Sequence, residues 1–276
     1  MTFKNYTKQR IKLLSIVLAS TCLIHCAGGN SPAESAKVVA SSHSALDTTF
    51  SDGGVVSSLI SRRALPTFDA EIASTTINLD APSSLQPGDL LVAHMTVRAD
   101  VTDDWTLPTG WTLLRKDNSL SQIASAIYWH VAGSSEPASY TFTFPVALNI
   151  TGDLTAFYNV NQANPIDTHS GFKTATTTAL TGAAVTVTNS HSLVLWYASQ
   201  SWDSTNLTAC PSGFFTAPAN SSEGFASCAL DSSSFNGMLY VLYYQAIGDP
   251  GTYTFSGTSN YPNTNIIQTV VLNADN

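Results

Sequence analysis

Few residues in this chain have the types and spacing that catalysis requires. The sequence contains no Gly-x-Ser-x-Gly elbow, no His-Glu-x-x-His zinc motif and no phosphate-binding loop. His94 and His130 fall within apolar runs, where a histidine is more often a core residue with one satisfied nitrogen than a general base. The paired carboxylates of a glycosidase meet in space, so the order of residues does not point to them. The sequence assigns no catalytic residue and favours a binding protein over an enzyme.

Two tryptophans beside acidic residues are the candidates for ligand binding. Trp105 follows Asp103 and Asp104, and Trp202 precedes Asp203, at equivalent points of two related segments described below. Exposed indole rings could stack on sugars while the carboxylates accept hydrogen bonds from sugar hydroxyls. The alternative is that each indole closes one end of the hydrophobic core, as buried aromatic side chains usually do.

The acidic stretch before Trp105 is also a candidate for calcium. Asp100, Asp103 and Asp104 lie within five residues, and calcium takes six or more oxygens from carboxylates and carbonyls. Because three acids in an acidic protein are a weak indication, a solvated loop is the simpler interpretation. We predict no cofactor and no metal site, and keep loop calcium as an alternative.

Cys210 and Cys228 are the two cysteines outside the first 26 residues. In an exported protein such a pair is most simply a disulfide that closes one loop. A loop of this length would gain about 3 kcal/mol of stability from the crosslink. Metal ligation would need histidine or carboxylate companions at suitable spacing, and none is adjacent.

The elements that position these residues occur twice. Each copy has an apolar run, a Pro-x-Gly-aromatic turn (Pro108-Thr-Gly-Trp111 and Pro211-Ser-Gly-Phe214), a second apolar run and a Pro-containing turn before Tyr-Thr-Phe. The spacing between the copies is 103 residues at Leu90 and Leu193, and 113 residues at Tyr140 and Tyr253. A duplication followed by one change in loop length produces this pattern.

The composition and periodicity predict strands. Only 11% of the residues are charged, against about 25% in typical soluble domains, and Thr, Val, Tyr and Phe are abundant. The apolar run from Leu90 to Val97 indicates a strand that is covered on both faces. We predict an all-β, jelly-roll-like β-sandwich of two antiparallel sheets built from the internal duplication.

The predicted organisation places a targeting signal at the N-terminus and the folded domain after it. Its parts are a signal peptide at 1–25, a flexible tether at 26–56 and a β-sandwich domain at 57–276, with repeat 1 at about 73–161, a linker at about 162–183 and repeat 2 at about 184–273. Residues 266–272 match residues 152–160 as the last strand of each copy.

Four of the repeated motifs resemble a known domain family. Gly-Asp-Leu-Leu-Val, Pro-x-Gly-Trp, the Tyr-x-x-Val-Ala-Gly segment and Glu-Pro-Ala-Ser-Tyr-Thr-Phe are similar to a β-sandwich domain of unknown function that recurs in bacterial secreted proteins and phage tail-associated proteins. The resemblance covers about residues 58–273. It implies the fold and no catalytic residues, because the family has no agreed ones.

The N-terminus is typical of an export signal. A basic segment at 1–12 precedes twelve apolar residues at 13–24, too few for the ~20 of a stable membrane span. Leu23-Ile-His-Cys26-Ala-Gly-Gly29 resembles a bacterial lipoprotein box in which Cys26 carries the lipid. His25 departs from the small residue expected there, so Cys22 is an alternative, as is plain secretion. We expect an outer-membrane or cell-surface lipoprotein of a bacterium, or otherwise a secreted protein.

The net charge of the chain limits the classes of partner that it could bind. The net charge is −8, but from Cys26 onward seven Lys and Arg stand against nineteen Asp and Glu. Such a chain lacks the basic footprint that binds phosphates. We predict no nucleic-acid partner, and membrane contact only through the N-terminal lipid.

These features predict a function without a named ligand. We expect an exported, lipid-anchored, non-catalytic binding or adhesion module whose surface ligand is a glycan or an envelope protein. The alternatives are a structural subunit of an envelope or fibre assembly and, with less support, a carbohydrate-active enzyme, because a fold alone does not choose among functions.

Overall fold

The computed structural model describes residues 59–98, 105–119, 122–203, 215–231, 236–247 and 249–275. These residues form strands and no helix, so none of their elements is a helix long and apolar enough to cross a membrane. The strands of the first half are β1 (Ser61–Arg62), β2 (Thr67–Asp80), β3 (Leu90–Val97), β4 (Thr112–Ser119), β5 (Ile123–Val131) and β6 (Ser139–Tyr158). Those of the second half are β7 (Ile166–Thr181), β8 (Val185–Val187), β9 (Leu193–Asp203), β10 (Phe215–Thr216), β11 (Ser222–Asp231), β12 (Asn236–Ala246), β13 (Gly251–Tyr253) and β14 (Ser256–Leu272).

Each half contributes one six-stranded antiparallel sheet. The first sheet has the order β1-β6-β3-β5-β4, and β2 also pairs with β6. The second has the order β10-β14-β9-β12-β11, and β7 also pairs with β14, while β8 and β13 form a small separate sheet. The predicted all-β sandwich of two antiparallel sheets is confirmed.

The pairing confirms the duplication strand by strand. Leu90 of β3 lies opposite Phe157 of β6, and Leu193 of β9 lies opposite Leu272 of β14. This register aligns residues 266–272 with residues 151–157, so the predicted match to 152–160 was wrong in its alignment. The reason is that several connections, rather than one, differ in length between the copies.

The predicted linker at 162–183 is mostly a strand. Its residues 166–181 form β7, which pairs along β14. In the first half β2 pairs along β6 in the same way. The linker interpretation was wrong because a Thr- and Ala-rich run shows little alternation of apolar and polar residues, yet its backbone completes the second sheet.

The two sheets pack face to face with equivalent contacts. Across the interface β4 lies against β7 as β11 lies against β2, and β5 lies against β9 as β12 lies against β3. The same surface of each repeat therefore meets the other, as in the isologous interface of a two-fold dimer.

Three hydrophobic clusters follow from this stacking. Strand β3 is buried along its whole length, as its apolar run predicted, because both of its faces are covered. Leu91 and Ala93 belong to the first-repeat core, whereas Leu90 and Val92 belong to the interface core between the sheets. The second-repeat core includes Trp196, Tyr243 and Phe255. Each large apolar side chain buried in this way contributes about 1.5–3 kcal/mol.

The outer edge strands β4 and β11 carry irregularities at corresponding positions. The pairing of β4 with β5 shifts between Leu113 and Arg115. The pairing of β11 with β12 shifts between Glu223 and Phe225. Both shifts are bulges that interrupt the regular hydrogen-bond ladder and increase the local twist.

Candidate functional site

Trp105 is part of the core. Its side chain belongs to the first-repeat core and is 5% exposed, with its ring centroid 4.7 Å from that of Phe144. The Lys116 ammonium lies 5.2 Å from the indole centroid. The glycan-platform interpretation was therefore wrong for Trp105, because a ring packed in this way presents no face to a sugar. The core-cap interpretation is confirmed for this residue.

The other predicted ligand-binding residues are placed only in part. Asp103 and Asp104 lie outside the described residues, as does Asp100, so the calcium alternative stays a prediction. Trp202 and Asp203 end β9, opposite Gly237 and Asn236 of β12, and their ligand role also stays a prediction.

The predicted disulfide and lipid anchor are likewise untested. Cys210 lies outside the described residues, and Cys228 lies on β11 opposite Leu239. Cys22 and Cys26 also precede the described part of the chain. Within the part that the structure describes, no group of three or more His, Cys, Asp or Glu residues could hold a metal ion.

The central strands of the two sheets run side by side in the same direction. The His94 ring of β3 stacks on the Tyr197 ring of β9 with 4.4 Å between centroids. Two residues further along both strands, Thr96 Oγ1 and Ser199 Oγ are 2.9 Å apart. Strands β3 and β9 therefore end at the same end of the sandwich, which we call the loop end. Strands β5 and β12 begin there, because Ala124 lies opposite Val97 and Asn236 opposite Asp203.

The chain enters the domain at the opposite end, which we call the anchor end. The Asn159 amide donates to Leu59 O at 3.0 Å, and Ser61 pairs with Tyr158. Phe157, next to them, lies opposite Leu90, where β3 begins. Since β3 has eight residues, it separates the two ends by about 25 Å.

A buried row of polar side chains crosses the interface between the sheets. Ser125 Oγ lies 2.8 Å from His94 Nε2, and His94 Nδ1 lies 3.8 Å from Asp153 Oδ1. Ser, His and Asp thus stand in the order of a hydrolase triad. All three side chains are 0% exposed. Their burial makes the row a part of the sheet interface.

The row continues into the second repeat. Ser125 Oγ donates to Gln268 Oε1 at 2.9 Å, and Gln268 Nε2 donates to Asp117 Oδ2 at 2.8 Å. Tyr240 of the opposite sheet acts to lower the pKa of Asp153. The polar residues therefore fix the register of one repeat on the other.

Burial controls the charge of this row. It lowers the pKa of the His94 imidazole to about 3. It raises the pKa of the Asp153 carboxyl to about 7, against the opposing effects of Tyr240, of the hydrogen bond from Thr155 and of the Arg62 charge. His94 is a core histidine with one satisfied nitrogen, as predicted, because Nδ1 has no hydrogen-bond partner among the described residues.

A second polar cluster lies at the rim of the first repeat. His130 Nδ1 is 3.0 Å from Gly110 O, and His130 Nε2 is 3.0 Å from Glu136 Oε1. Glu136 also accepts from Gly133 N at 2.5 Å and from Tyr140 Oη at 2.7 Å. The prediction of His130 as a core residue with one satisfied nitrogen was wrong, because its side chain is partly exposed and both nitrogens are bonded.

The rim cluster explains why the first repeat needs these residues in its turns. Burial acts to raise the pKa of Glu136, but the hydrogen bonds from Gly133, Tyr140 and His130 outweigh it and lower that pKa. Gly110 has φ of 86°, and a Cβ there would lie 3.0 Å from the His130 ring, so the turn requires glycine. A carboxylate held by this many donors stabilises a turn and is not free to act as a base. Its sequence signal was the glutamate four residues before the tyrosine.

A scan against protein-family models and searches of curated proteins and of solved structures found no match to this chain.

Proposed function

We propose that this chain is an exported, lipid-anchored surface protein whose non-catalytic β-sandwich binds a surface ligand at its loop end. The observation that carries the proposal is the separation of the two ends. The chain enters at the anchor end beside Asn159, and β3 and β9 run from there to the loop end. A tether attached through Cys26 would direct the loop end away from the membrane.

The burial of the triad-like row supports binding over catalysis. Ser125, His94 and Asp153 are fully buried between two sheets. A substrate could reach the Ser125 hydroxyl only after the sheets had separated. The row therefore stabilises the scaffold, and ligand recognition falls to the surface.

An exposed amide at the loop end supports a ligand rich in hydroxyl groups. Gln122 of the first repeat is exposed there and is held by a hydrogen bond of 3.3 Å from the buried Ser201 of the second repeat. Such a group suits the hydroxyls of a glycan. The excess of acidic residues after Cys26 also disfavours polyanions.

Glycan binding can be tested with the full chain on a glycan array that also carries envelope proteins. Replacing Asp103, Asp104 and Asp203 together by Asn is expected to weaken binding at least tenfold. Asp249→Asn is the matched control, because Asp249 is an exposed carboxylate that follows β12 at the anchor end. Equal loss in both variants, or no binding by the unchanged chain, would contradict the proposal. Binding to a protein alone would replace the glycan by an envelope protein as the ligand.

The anchor has its own test. Cys26→Ser is expected to abolish incorporation of a radiolabelled fatty acid and to release the protein into the medium, whereas Cys22→Ser leaves both unchanged. The reverse result would move the anchor to Cys22, and labelling of neither form would indicate plain secretion.

A further inference from the structure

We propose that the interface between the two repeats buries one proton, which lies between Asp153 Oδ1 and His94 Nδ1 on neighbouring strands of the first-repeat sheet. The inference is independent of the proposed ligand binding. It follows from the direction of each hydrogen bond along the buried row, starting at Gln268 in the second repeat and ending at Asp153 in the first.

The first step fixes the amide of Gln268. Its Nε2 lies 2.8 Å from Asp117 Oδ2 and 3.1 Å from Ser125 O. Both partners accept hydrogen bonds, and neither a carboxylate nor a backbone carbonyl can donate. The –NH₂ group must therefore occupy this position, and Oε1 must face Ser125 as an acceptor.

The second step fixes the tautomer of His94. The Ser125 hydroxyl has one hydrogen, and it donates that hydrogen to Gln268 Oε1 at 2.9 Å. His94 Nε2, 2.8 Å from the same oxygen, must therefore donate to it. Since a neutral imidazole carries one hydrogen, Nδ1 of His94 presents a lone pair.

The third step places the proton. The lone pair of His94 Nδ1 faces Asp153 Oδ1 at 3.8 Å, and both side chains are 0% exposed. Two acceptors facing each other without solvent repel unless one is protonated. Thr155 Oγ1 donates to Asp153 Oδ2 at 3.1 Å, whereas Oδ1 has no hydrogen-bond partner among the described residues, so Oδ1 is the atom left to carry the proton on the side of His94.

The polar and charged groups around Asp153 oppose this placement, and burial outweighs them. Tyr240 of β12 and the positive charge of Arg62 of β1 act to lower the pKa of the carboxyl, whereas burial raises it. Arg62 donates to Tyr244 Oη at 3.3 Å. Tyr197 of β9 stacks on the imidazole, and the charge of Asp153 adds to burial in raising the pKa of Tyr197.

The titrations of Asp153 and His94 would then have opposite effects on how the free energy of unfolding depends on pH. Burial raises the pKa of Asp153 to about 7 and lowers that of His94 to about 3, from ordinary values of 3.8 and 6.5. Between about pH 4 and 6.5 the folded pair holds one proton, on Asp153. The unfolded pair also holds one proton, on His94. The pair therefore makes no net contribution to the slope of stability against pH in this range.

The first experiment needs no variant. Long-range ¹⁵N–¹H NMR of the full chain at pH 5.5 is expected to show His94 as the neutral Nε2–H tautomer. The carboxyl carbon of Asp153 is expected to titrate near pH 7. An imidazolium signal for His94, or an ionised Asp153 at pH 5.5, would overturn the proposal.

The second experiment separates the two residues by urea unfolding at several pH values. In Asp153→Asn only His94 remains, and its lowered pKa makes the unfolding constant rise about tenfold per unit as pH falls from 6.5 toward 4, relative to the unchanged chain. In His94→Gln only Asp153 remains, and its raised pKa makes the constant rise about tenfold per unit as pH rises from 4 toward 7.

The control is Asp80→Asn, because Asp80 is an exposed carboxylate on β2 of the same repeat. Its pH profile is expected to run parallel to that of the unchanged chain. Profiles of Asp153→Asn and His94→Gln that also run parallel would overturn the proposal. If either variant fails to fold, the NMR titration of the unchanged chain decides.

Discussion

The two repeats have equivalent central strands but carry different polar side chains at equivalent positions. His94 lies opposite Asp153 in the first repeat, and the corresponding Tyr197 lies opposite Gln268 in the second. Ser125 corresponds in the same way to Tyr240. Ser125 donates to Gln268 in the other repeat, and Tyr240 lowers the pKa of Asp153 from the equivalent position, so the two contacts correspond. Duplication preserved the geometry of the interface while only one repeat kept a titratable pair.

The cores of the repeats differ as well. Val97 and Ile150 lie opposite each other in the first-repeat core, and both are fully buried. Their counterparts Gln200 and Asn265 are equally buried, and each has a side-chain oxygen without a hydrogen-bond partner among the described residues. The second repeat therefore tolerates polar groups where the first is apolar.

The largest expected effect tests whether the repeats fold as one unit. Phe142 and Phe255 are equivalent residues of the two repeat cores, and both are 0% exposed. Replacing either by Ala is expected to cost about 3–5 kcal/mol, because each leaves a cavity. Since the interface core joins the repeats, both variants should unfold in one transition, as followed by urea denaturation with fluorescence and circular dichroism.

The control for these truncations is Phe172→Ala on β7, whose side chain is 44% exposed. Its effect is expected to stay within about 0.5 kcal/mol. Two separate unfolding transitions in Phe255→Ala would contradict the expectation that the sandwich unfolds as one cooperative unit.

Substitutions at equivalent core positions test whether the two repeats differ in their tolerance of polar side chains. Ile150→Asn is expected to cost about 3 kcal/mol, because it loses apolar burial and introduces an amide among apolar neighbours. Asn265→Leu should cost less, about 1–2 kcal/mol, because the loss of the hydrogen bonds that Asn265 Nδ2 donates is partly offset by the removal of an unsatisfied oxygen. Thermal unfolding at one pH measures both. Equal losses would mean that the two environments are alike.

The smallest expected effect on stability concerns the polar cluster at the rim of the first repeat. Glu136 and Asp249 occupy the same place before a proline, but only Glu136 is bonded to a histidine among the described residues. Glu136→Gln is expected to lower stability by about 1–2 kcal/mol at pH 7, because it weakens charged hydrogen bonds. Asp249→Asn should change stability by less than about 0.5 kcal/mol.

The Glu136 effect should also depend on pH with a defined sign. Its pKa is lowered in the folded state, so its contribution is present above the ordinary value of 4.5 and is lost as pH falls through the folded value. Unfolding at pH 7 and pH 3 measures the difference between Glu136→Gln and the unchanged chain. A difference that grows toward acid would contradict the assignment.

Repetition and apolar runs made the fold predictable from the sequence. The run at Leu90 to Val97 predicted a strand covered on both faces, and the Tyr-Thr-Phe segments predicted equivalent core residues. The match of the turn at Pro108 to that at Pro211 was wrong, because the equivalent bulges after Leu113 and Glu223 align the Pro108 turn with the turn at Pro218. Strand β7 was missed because its register is imposed by β14 rather than by its own alternation.

The buried row was predictable only in part. The apolar neighbours of His94 indicated a core histidine with one satisfied nitrogen. Nothing in the order of residues brings it to Asp153, which lies on a neighbouring strand, or to Tyr197 and Gln268 in the other repeat. Such partners are chosen by sheet stacking, which a single sequence encodes only through many weak contacts.

The bulges on β4 and β11 have a consequence for self-assembly. A sheet edge with regularly spaced free amides and carbonyls is a template on which another chain can add a strand. Here each outer edge is interrupted at the same place, and on β4 the bulge precedes Arg115, Lys116 and Asp117. Charged, twisted edges resist edge-to-edge polymerisation, which disfavours the fibre-subunit alternative. We expect light scattering at high protein concentration to show a monomer, because crowded copies would stay separate without joining their sheets.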